Sequence, residues 1–473
     1  MNWDDFVYAT LLILSVPFGL LVKKTSDYTT KQIYSSAAGV VLVAVVCGWD
    51  GLHSLITALV NACIVHFLSP KKCHLVSFAW CFGYIAFFRT THFFGLPKVI
   101  PHANAVQLLL TLKLVGVAYE VHDDHMNKEA LKKEENEELR LKAKYQEVKP
   151  SFMDMMHYSY CYIGLLTGPY YKYRTYHDML TNKTSEHRDI LKSLGDLVYW
   201  IPAVAITFLV LSHFYYIEYV RSDEFYENPF WYRLWFMTPM FFVFKVRMYF
   251  AWLMSEVVCI IPGLGAYPKE SKPRCGAGPM DLKALDESLK QDPEKVEVNF
   301  ATVHNINMWG CEFSTTLRDA MKCWNMSVQY WLAQHVYRRV NNKQWRTTVT
   351  MLVSAFWHGI HPGYYLSFLT VPPIVLAESA LEKTFCKGRP ESQQKIYVIF
   401  GKFMTARFLE YMSMGFLILG GWQTMRYWSS IYFCCHVVIV IFFILSNVFK
   451  PYRPKNVDDS STSSSTKESL KKD

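Results

Sequence analysis

Charged residues are scarce in this chain of 473 residues, at 19% of the composition against about 25% in soluble domains. Hydrophobic residues reach 51%, and they are gathered into blocks of the length that a membrane-spanning helix needs, about 20 residues. A set of soluble domains is therefore excluded. The sequence predicts an all-α, multi-pass integral membrane protein with roughly 10–12 membrane helices around a central chamber.

Several familiar site motifs are also missing. There is no GxSxG elbow, P-loop or Rossmann glycine pattern, which argues against serine hydrolases, nucleotide hydrolases and dinucleotide enzymes. The 12 cysteines include no CxxC pair, which favours reduced, packing thiols over a disulfide framework. The histidines are dispersed, and the one close pair in an apolar block has no carboxylate within helical reach. We therefore expect no metal and no bound cofactor.

The net charge of +9 does not indicate a nucleic-acid partner, because the basic residues flank apolar segments. Anionic lipid or a cytosolic polyanion fits that arrangement better.

We predict one membrane domain over residues 1–450, interrupted by a charged loop at 120–150 and a polar loop at 266–300, and a disordered polar tail at 451–473. The charged loop is interpreted as a solvated helix or flexible segment, with regulation as the alternative. Candidate spans are Phe6–Val22, Ile33–Trp49, Leu52–Leu68, His74–Phe88, Ala103–Tyr119, Tyr158–Thr167, Val198–Tyr216, Trp231–Leu253, Val257–Gly265, Val349–Phe356 extending to Leu381, Ile396–Leu419 and Ile431–Phe449.

Ionisable residues interrupt the apolar blocks, although a charge at mid-depth costs about 3 kcal/mol or more. Structural pairing is the simplest explanation for most of them, as for Arg407 and Glu410 at i,i+3. Their number nevertheless predicts a hydrated cavity inside the membrane domain. The residues concerned are Lys245, Arg247, Glu256, Arg407, Glu410 and His436.

The segment Thr316–Gln334 combines a polar stripe with an aromatic surface. On a continuous helix, Arg318, Lys322, Asn325 and Gln329 would recur at steps of four, three and four and would line a wet channel. An amphipathic helix lying in the membrane interface is one alternative. Asn325-Met326-Ser327 also satisfies the N-glycosylation pattern, although Asn182-Lys183-Thr184 in a polar loop suits that modification better.

A second segment runs from Ser354 to Tyr365 and contains Pro362-Gly363, which should break or bend a helix there. Backbone broken at membrane depth is tolerated where it lines a water-filled cavity or is buried in protein. Ser354, His358 and His361 would share one face. A structural histidine and a functional one are both consistent with this pattern.

Together these segments suit direct acyl transfer onto a hydroxyl. A neutral imidazole at His358 could remove the proton of the attacking alcohol, since its unperturbed pKa of about 6.5 lies near working pH. The acyl donor must then be activated already, as a thioester is. Asn325 could orient the hydroxyl or donate to the oxyanion. The polar and aromatic neighbours of these two residues are candidates for substrate contact, namely Gln329, Ser354, Trp357 and His361.

Three stretches resemble the signatures of the membrane-bound O-acyltransferases, and the likeness covers nearly the whole chain. They are Trp324-Asn325-Met326-Ser327-Val328-Gln329-Tyr330-Trp331-Leu332, Ser354-Ala355-Phe356-Trp357-His358-Gly359 and Gly168-Pro169-Tyr170-Tyr171-Lys172-Tyr173-Arg174-Thr175-Tyr176. Within that family, Asn104–Val115 and His361–Thr370 resemble members that act on lysophosphatidylinositol. By position, His358 matches the active-site histidine of the family and Asn325 its asparagine.

The resemblance implies that a polyunsaturated chain, arachidonoyl above all, passes from acyl-CoA to the sn-2 hydroxyl of lysophosphatidylinositol. It also implies a location in the endoplasmic reticulum membrane, with CoA entering from the cytosol and lipid entering sideways. Lys322, Arg338 and Arg339 are the candidates to meet the CoA phosphates. A different acceptor on the same fold, and a lipid transporter or scramblase, remain the alternatives. The oligomeric state is left open.

Overall fold

The computed structural model describes residues 3–134, 136–181 and 190–449, and α-helices make up most of this part of the chain. The first half contains α1 (Trp3–Lys24), α2 (Tyr28–Cys47), α3 (Gly51–Phe67), α4 (Cys73–Arg89), α5 (Pro101–Lys133), α6 (Glu137–Tyr145), α7 (Phe152–Ser159), α8 (Tyr173–Thr181), α9 (Ile190–Leu194), α10 (Leu197–Phe214), α11 (Ile217–Arg221) and α12 (Asp223–Glu227). The second half contains α13 (Phe230–Ile260), α14 (Leu282–Leu289), α15 (Met308–Phe313), α16 (Leu317–Cys323), α17 (Met326–His335), α18 (Arg346–His358), α19 (Pro362–Phe385), α20 (Glu391–Ile418), α21 (Gly421–Ser430) and α22 (Cys434–Val448). The predicted helical membrane class is confirmed.

Five segments of the described chain have the length and composition of membrane spans, and α21 with α22 makes a sixth if this pair, bent by 67°, crosses as one. The five are Phe6–Lys24, Tyr28–Phe67, Pro101–Lys133, Leu197–Arg221 and Pro362–Phe385. The sequence prediction of roughly 10–12 membrane helices also counted shorter and more polar helices. On the outside of the bundle, α2, α10, α20 and α22 present Val40, Ile206, Ile399 and Ile444, each more than half exposed. Such an apolar exterior suits contact with lipid.

Three predicted segments differ from the structure. Tyr158–Thr167 is not a helix, because α7 ends at Ser159 and the chain continues through turns. The two segments predicted on either side of Glu256 form one helix, α13. The segment 266–300, predicted as a polar loop, includes α14 and a short antiparallel pair, β1 (Tyr267–Pro268) with β2 (Val298–Asn299). In each case, contacts with distant parts of the chain outweigh the local pattern.

The charged region at 120–150 is largely helical, since α5 continues through it to Lys133 and α6 follows. An ion pair and a hydrogen bond hold it to the polar loop. The Lys144 ammonium lies 2.6 Å from the Asp286 carboxylate on α14, and the Tyr145 hydroxyl donates to the same carboxylate at 2.5 Å. Hydrogen bonds from Lys144, from Lys290 at the end of α14 and from Tyr145 hold the pKa of Asp286 well below its usual range. The predicted tail at 451–473 and the sequon asparagine Asn182 lie outside the described residues.

Side-chain hydrogen bonds join α3, α4 and α5 inside the bundle. Asn61 on α3 accepts from the Ser77 hydroxyl at 2.6 Å and donates to the Leu114 carbonyl at 3.3 Å. Gln107 on α5 donates to the Thr57 hydroxyl at 2.8 Å. All of these side chains are buried, and in lipid an unsatisfied polar group is costly. The bonds therefore fix α5, against which the candidate site is built.

Candidate active site

The second predicted segment contains a helix break, as the sequence indicated. The helix α18 ends at His358, three residues follow, and α19 begins at Pro362. Gly363 brings the start of α19 against the end of α20, where a Cβ would lie 2.7 Å from the Leu419 carbonyl oxygen. The Gly363 N–H donates to the same oxygen at 2.8 Å. Because the break is anchored in this way, His358 lies at a defined helix end.

Aromatic rings surround the imidazole of His358. Phe368 stacks on it at a ring-centroid distance of 5.3 Å, Phe416 meets it edge-on at 5.0 Å and Tyr364 lies 5.9 Å away. Among the described residues, none donates a hydrogen bond to its ring nitrogens or accepts one from them, and the side chain is half-buried. The rings thus hold the imidazole in place and leave its nitrogens available to a substrate.

The neighbours of His358 differ in their positions. Ser354 is buried one turn earlier on the same face of α18. Trp357 points to α5, where its indole N–H donates to the Leu108 carbonyl at 3.1 Å, so this contact favours a packing role. His361 is exposed and lies beyond the end of α18. It therefore does not share the helical face of Ser354 and His358, and that part of the sequence prediction is wrong.

Asn325 lies at a second break, which the sequence did not indicate. The expected continuous helix is divided into α16 and α17, and Asn325 adopts the left-handed conformation between them, with φ 42° and ψ 58°. Asparagine tolerates this conformation better than most residues do. The continuous polar stripe is therefore wrong: Lys322 is exposed on α16 and pairs with Asp319 at 2.8 Å, whereas Gln329 belongs to the first turns of α17.

A buried bracket holds the start of α17. The Asn305 carbonyl accepts from the Met326 N–H at 2.8 Å, and its side-chain oxygen accepts from the Ser327 N–H at 3.0 Å. The backbone N–H of Asn305 in turn donates to the Glu256 carboxylate at 2.7 Å. The first N–H groups of a helix have no partner within it, so Asn305 supplies two acceptors that α17 lacks. Glu256, noted in the sequence only as a costly charge, thus supports the Asn325 turn.

The other oxygen of Glu256 lies 3.1 Å from Nδ1 of His304. This hydrogen bond raises the pKa of His304, a loop residue, above its ordinary value of 6.5. No sequence signal identifies Asn305, because nothing in its local pattern separates it from an ordinary loop asparagine.

Replacing Asn305 by alanine should lower both stability and turnover. The change removes the acceptor of the Ser327 N–H and leaves that buried group unpaired, at a cost of about 1–3 kcal/mol. The measurement is thermal unfolding in detergent together with kcat. Asn299→Ala is the matched control, because the Asn299 side chain also accepts from a backbone N–H, that of Ala301 at 3.2 Å, outside the bracket. Equal losses of stability and turnover in Asn305→Ala and Asn299→Ala would contradict the role of Asn305 in holding the start of α17.

The aromatic side chains of α13 and α20 connect the two breaks. Phe416, which contacts His358, lies 5.7 Å from Phe244, and Phe244 lies 6.1 Å from Trp324. Trp324 directly precedes Asn325 and meets Trp252 edge-on at 4.8 Å. We call six of these aromatic residues the aromatic wall, and His358 is held against it. They are Phe244, Trp252, Trp324, Tyr364, Phe368 and Phe416. The structure therefore brings both sequence-predicted segments to one wall.

The ionisable residues inside the membrane domain are mostly paired. Lys245 lies 2.6 Å from a carboxylate oxygen of Glu312. Arg407 lies 2.5 Å from Glu410, as predicted from their spacing. His436 lies 2.8 Å from the Tyr411 hydroxyl through Nδ1. For these groups the structural explanation is confirmed.

A polar pocket lies between α5, α8 and α17, and both acidic and basic side chains line it. The Gly-Pro-aromatic motif forms part of it through Lys172 and Arg174, and α17 contributes Tyr330 and Gln334. Glu120 on α5 holds the motif in place, because its carboxylate accepts from the N–H groups of Tyr173 and Arg174 at 2.8 and 3.1 Å. The pocket does not include His358 or Asn325. Tyr330 follows Asn325 by five residues, a rise of about 7.5 Å along a helix.

Two of the three basic residues predicted to meet CoA lie beside this pocket. Arg338 donates to the Gln334 side chain at 2.8 Å, and Arg339 lies 3.4 Å from Asp123, which also lines the pocket. Lys322, on α16, does not line it.

All 12 cysteines lie in the described part of the chain, and their thiols are free. Among the described residues, no group of three His, Cys, Asp or Glu side chains is arranged to hold a metal ion.

The sequence profile of the membrane-bound O-acyltransferase family matches residues 65–419, a stretch that includes both helix breaks, the aromatic wall and the pocket. The chain belongs to this family and is an acyltransferase.

Its relatives are similar over nearly their full length. The membrane-bound acylglycerophosphatidylinositol O-acyltransferase of Xenopus laevis is 40% identical over 467 residues, which cover 97% of each chain. The human enzyme of the same name is 40% identical over 444 residues, 92% of each chain. The Drosophila melanogaster enzyme of that name is 34% identical over 445 residues, which cover 91% of this chain and 90% of its own.

Proposed function

We propose that this acyltransferase moves a polyunsaturated acyl chain from acyl-CoA to the sn-2 hydroxyl of a lysophosphatidylinositol, with His358 as the general base. The observation that carries the proposal is the meeting of His358 and the Asn325 turn at one aromatic wall. The names of the relatives support the phosphoinositide acceptor. We propose the endoplasmic reticulum membrane as the setting, on the resemblance to the family.

The chemistry needs no covalent enzyme intermediate. An imidazole nitrogen of His358 takes the proton of the lipid hydroxyl while the oxygen attacks the thioester carbonyl. The Asn325 amide donates to the oxygen that becomes negative, an interaction worth about 3 kcal/mol in such sites. When the tetrahedral intermediate collapses, the C–S bond breaks and the imidazolium returns the proton to the leaving sulfur. The products are an ester and free CoA, and the aromatic wall limits access of competing water.

The polar pocket is the proposed place for the polar part of the donor. Lys172, Arg174 and the nearby Arg338 and Arg339 are its basic side chains, and guanidinium groups suit phosphate oxygens. Arg174 and Arg339 pair with Asp178 at 2.9 Å and Asp123 at 3.4 Å, and they would exchange these carboxylates for the phosphates of the donor. The helix α17 then joins this pocket to Asn325, so a donor held by its phosphates would direct its thioester along the helix. We propose Gln329 and Ser354 as further substrate contacts on the two segments.

Neutralising Arg338 should raise the KM for acyl-CoA about two- to fivefold with little change in kcat, as expected for one exposed ion contact. The effect should shrink at high salt because salt screens exposed charges. Lys395→Gln is the matched control. Lys395 is exposed on α20 and pairs with Glu391 at 2.8 Å, and neither residue lines the pocket. Lys322→Gln tests the earlier sequence prediction. A larger KM change in Lys322→Gln than in Arg338→Gln would contradict the proposed donor position.

The purified protein in nanodiscs tests the function directly. It is offered lysophosphatidylinositol, lysophosphatidylcholine, lysophosphatidylserine or diacylglycerol, each with arachidonoyl-CoA or palmitoyl-CoA, and free CoA is followed. We expect the fastest release with lysophosphatidylinositol and arachidonoyl-CoA. Preference for another acceptor would overturn the substrate assignment. Movement of labelled lipid between leaflets without CoA release would instead support a scramblase.

A further inference from the structure

The end of α18 is held by an arginine from a distant part of the chain. Arg89 is the last residue of α4, and its guanidinium donates to three main-chain carbonyls at the end of α18. These are Phe356 at 2.6 Å, Trp357 at 2.5 Å and His358 at 3.2 Å. The last carbonyls of a helix have no partner within it. Arg89 therefore supplies the donors that the end of α18 lacks, and one of the three carbonyls belongs to His358 itself.

The guanidinium is itself oriented from α5. Its Nε donates to the side-chain oxygen of Asn104 at 3.0 Å, in the first turn of that helix. The bond between the Trp357 indole and the Leu108 carbonyl joins α18 to α5 one turn further along. With four of its five N–H donors engaged, Arg89 connects α4, α5 and α18 at the point where the chain leaves the helix.

We propose that Arg89 is a positioning residue for the acyl-transfer reaction, oriented by Asn104. The inference rests on the proposed role of His358 as the base. By fixing the carbonyls of residues 356–358, Arg89 fixes the direction in which the imidazole leaves the backbone and so its place against Phe368 and Phe416. A guanidinium suits this task because its planar donors reach several acceptors at once. A misplacement of about 1 Å between reacting groups can cost a hundredfold in rate.

The test compares Arg89→Met and Arg89→Lys with wild type in nanodiscs. A radiolabelled thioether analogue of acyl-CoA, which binds without reacting, counts the competent sites in each preparation. We expect kcat per site to fall about 10- to 100-fold in Arg89→Met, with KM for both substrates within about twofold. Arg89→Lys should recover part of the rate, because an ammonium also donates to carbonyls but lacks the planar fork. Hydrogen exchange in residues 355–361 should become faster in Arg89→Met.

Arg233→Met is the matched control. Arg233 is also half-buried and donates to two main-chain carbonyls, those of Tyr226 at 2.8 Å and Ser430 at 3.1 Å, at the start of α13. A merely structural arginine should lower the number of competent sites and leave kcat per site unchanged, which is the result we expect for Arg233→Met. The same result for Arg89→Met would overturn the inference.

Asn104→Leu provides a second comparison that keeps the Arg89 charge. It should lower kcat per site less than Arg89→Met does, and adding it to Arg89→Met should cause no further loss, because both changes act on one contact. If Asn104→Leu keeps the wild-type kcat per site, Asn104 does not orient Arg89 for the reaction. If Arg89→Met gives no folded protein, full rates per site in both Asn104→Leu and Arg89→Lys overturn the inference. The proposed function is judged separately, from the turnover of the wild-type protein.

Discussion

His358→Ala should reduce kcat by about 10²–10⁴-fold, the usual contribution of a positioned general base, while the protein still folds and inserts into the membrane. The physical reason is the loss of the group that accepts the proton of the lipid hydroxyl. The surrounding rings of Phe368, Phe416 and Tyr364 pack on the imidazole, so alanine also leaves a gap. His358→Gln fills more of that gap and should be equally inactive.

The measurement is CoA release by purified protein, with size-exclusion profiles and thermal unfolding as checks on folding. His213→Ala is the matched control, because His213 is exposed on α10 and should keep wild-type rates. Substantial turnover by both His358 variants would remove the general base from the mechanism and leave His358 a packing role. Loss of activity together with loss of folding in His358→Ala, but full activity in His358→Gln, would lead to the same conclusion.

Asn325→Gly should lower kcat by about 10²–10³-fold, as the loss of one oxyanion donor does in other acyl-transfer sites. Glycine is the informative substitution here, because Asn325 has a positive φ of 42°, which glycine adopts at no steric cost. Asn325→Ala removes the same amide but forces a Cβ into the left-handed region, at a further cost of roughly 1–2 kcal/mol. The two variants should therefore share the kinetic defect and differ in thermal stability.

Turnover and unfolding temperature are measured for both variants with a saturating donor. If Asn325→Gly turns over at the wild-type rate and only Asn325→Ala is impaired, the residue acts through the shape of its turn and not through its amide. Equal stability of the two variants would contradict the left-handed backbone at this position.

Much of the fold could be predicted because membrane insertion depends on local sequence. The first four apolar blocks end within a few residues of α1 to α4, since the length of an apolar run and the turn residues beside it set the limits of a helix in lipid. The prediction of a helix at Tyr158–Thr167 was wrong, because the apolar residues of this segment pack among other helices of the bundle in a non-helical conformation. The prediction of two segments in place of α13 was wrong for a related reason. Glu256 interrupts the apolar pattern, yet it stays within the helix because its carboxylate accepts a hydrogen bond from the Asn305 N–H.

The candidate site could be predicted where local chemistry defines it. Pro362 and Gly363 indicated a helix break, and His358 lies at that break. No proline or glycine marks the break at Asn325, so periodicity alone extended one helix across it. The left-handed turn is stable there because Asn305 and Glu256, from other parts of the chain, satisfy the first N–H groups of α17.

By itself, the sequence determined that this protein is helical, lies in a membrane and carries His358 and Asn325 in two unusual segments. Only the tertiary structure decided that both segments meet one aromatic wall, that Lys322 lies away from the polar pocket, and that Arg89 reaches the end of α18. The reason is that helix length and breaking residues act between neighbours in the chain. A hydrogen bond between Arg89 and His358 joins residues 269 positions apart, and no local pattern encodes it.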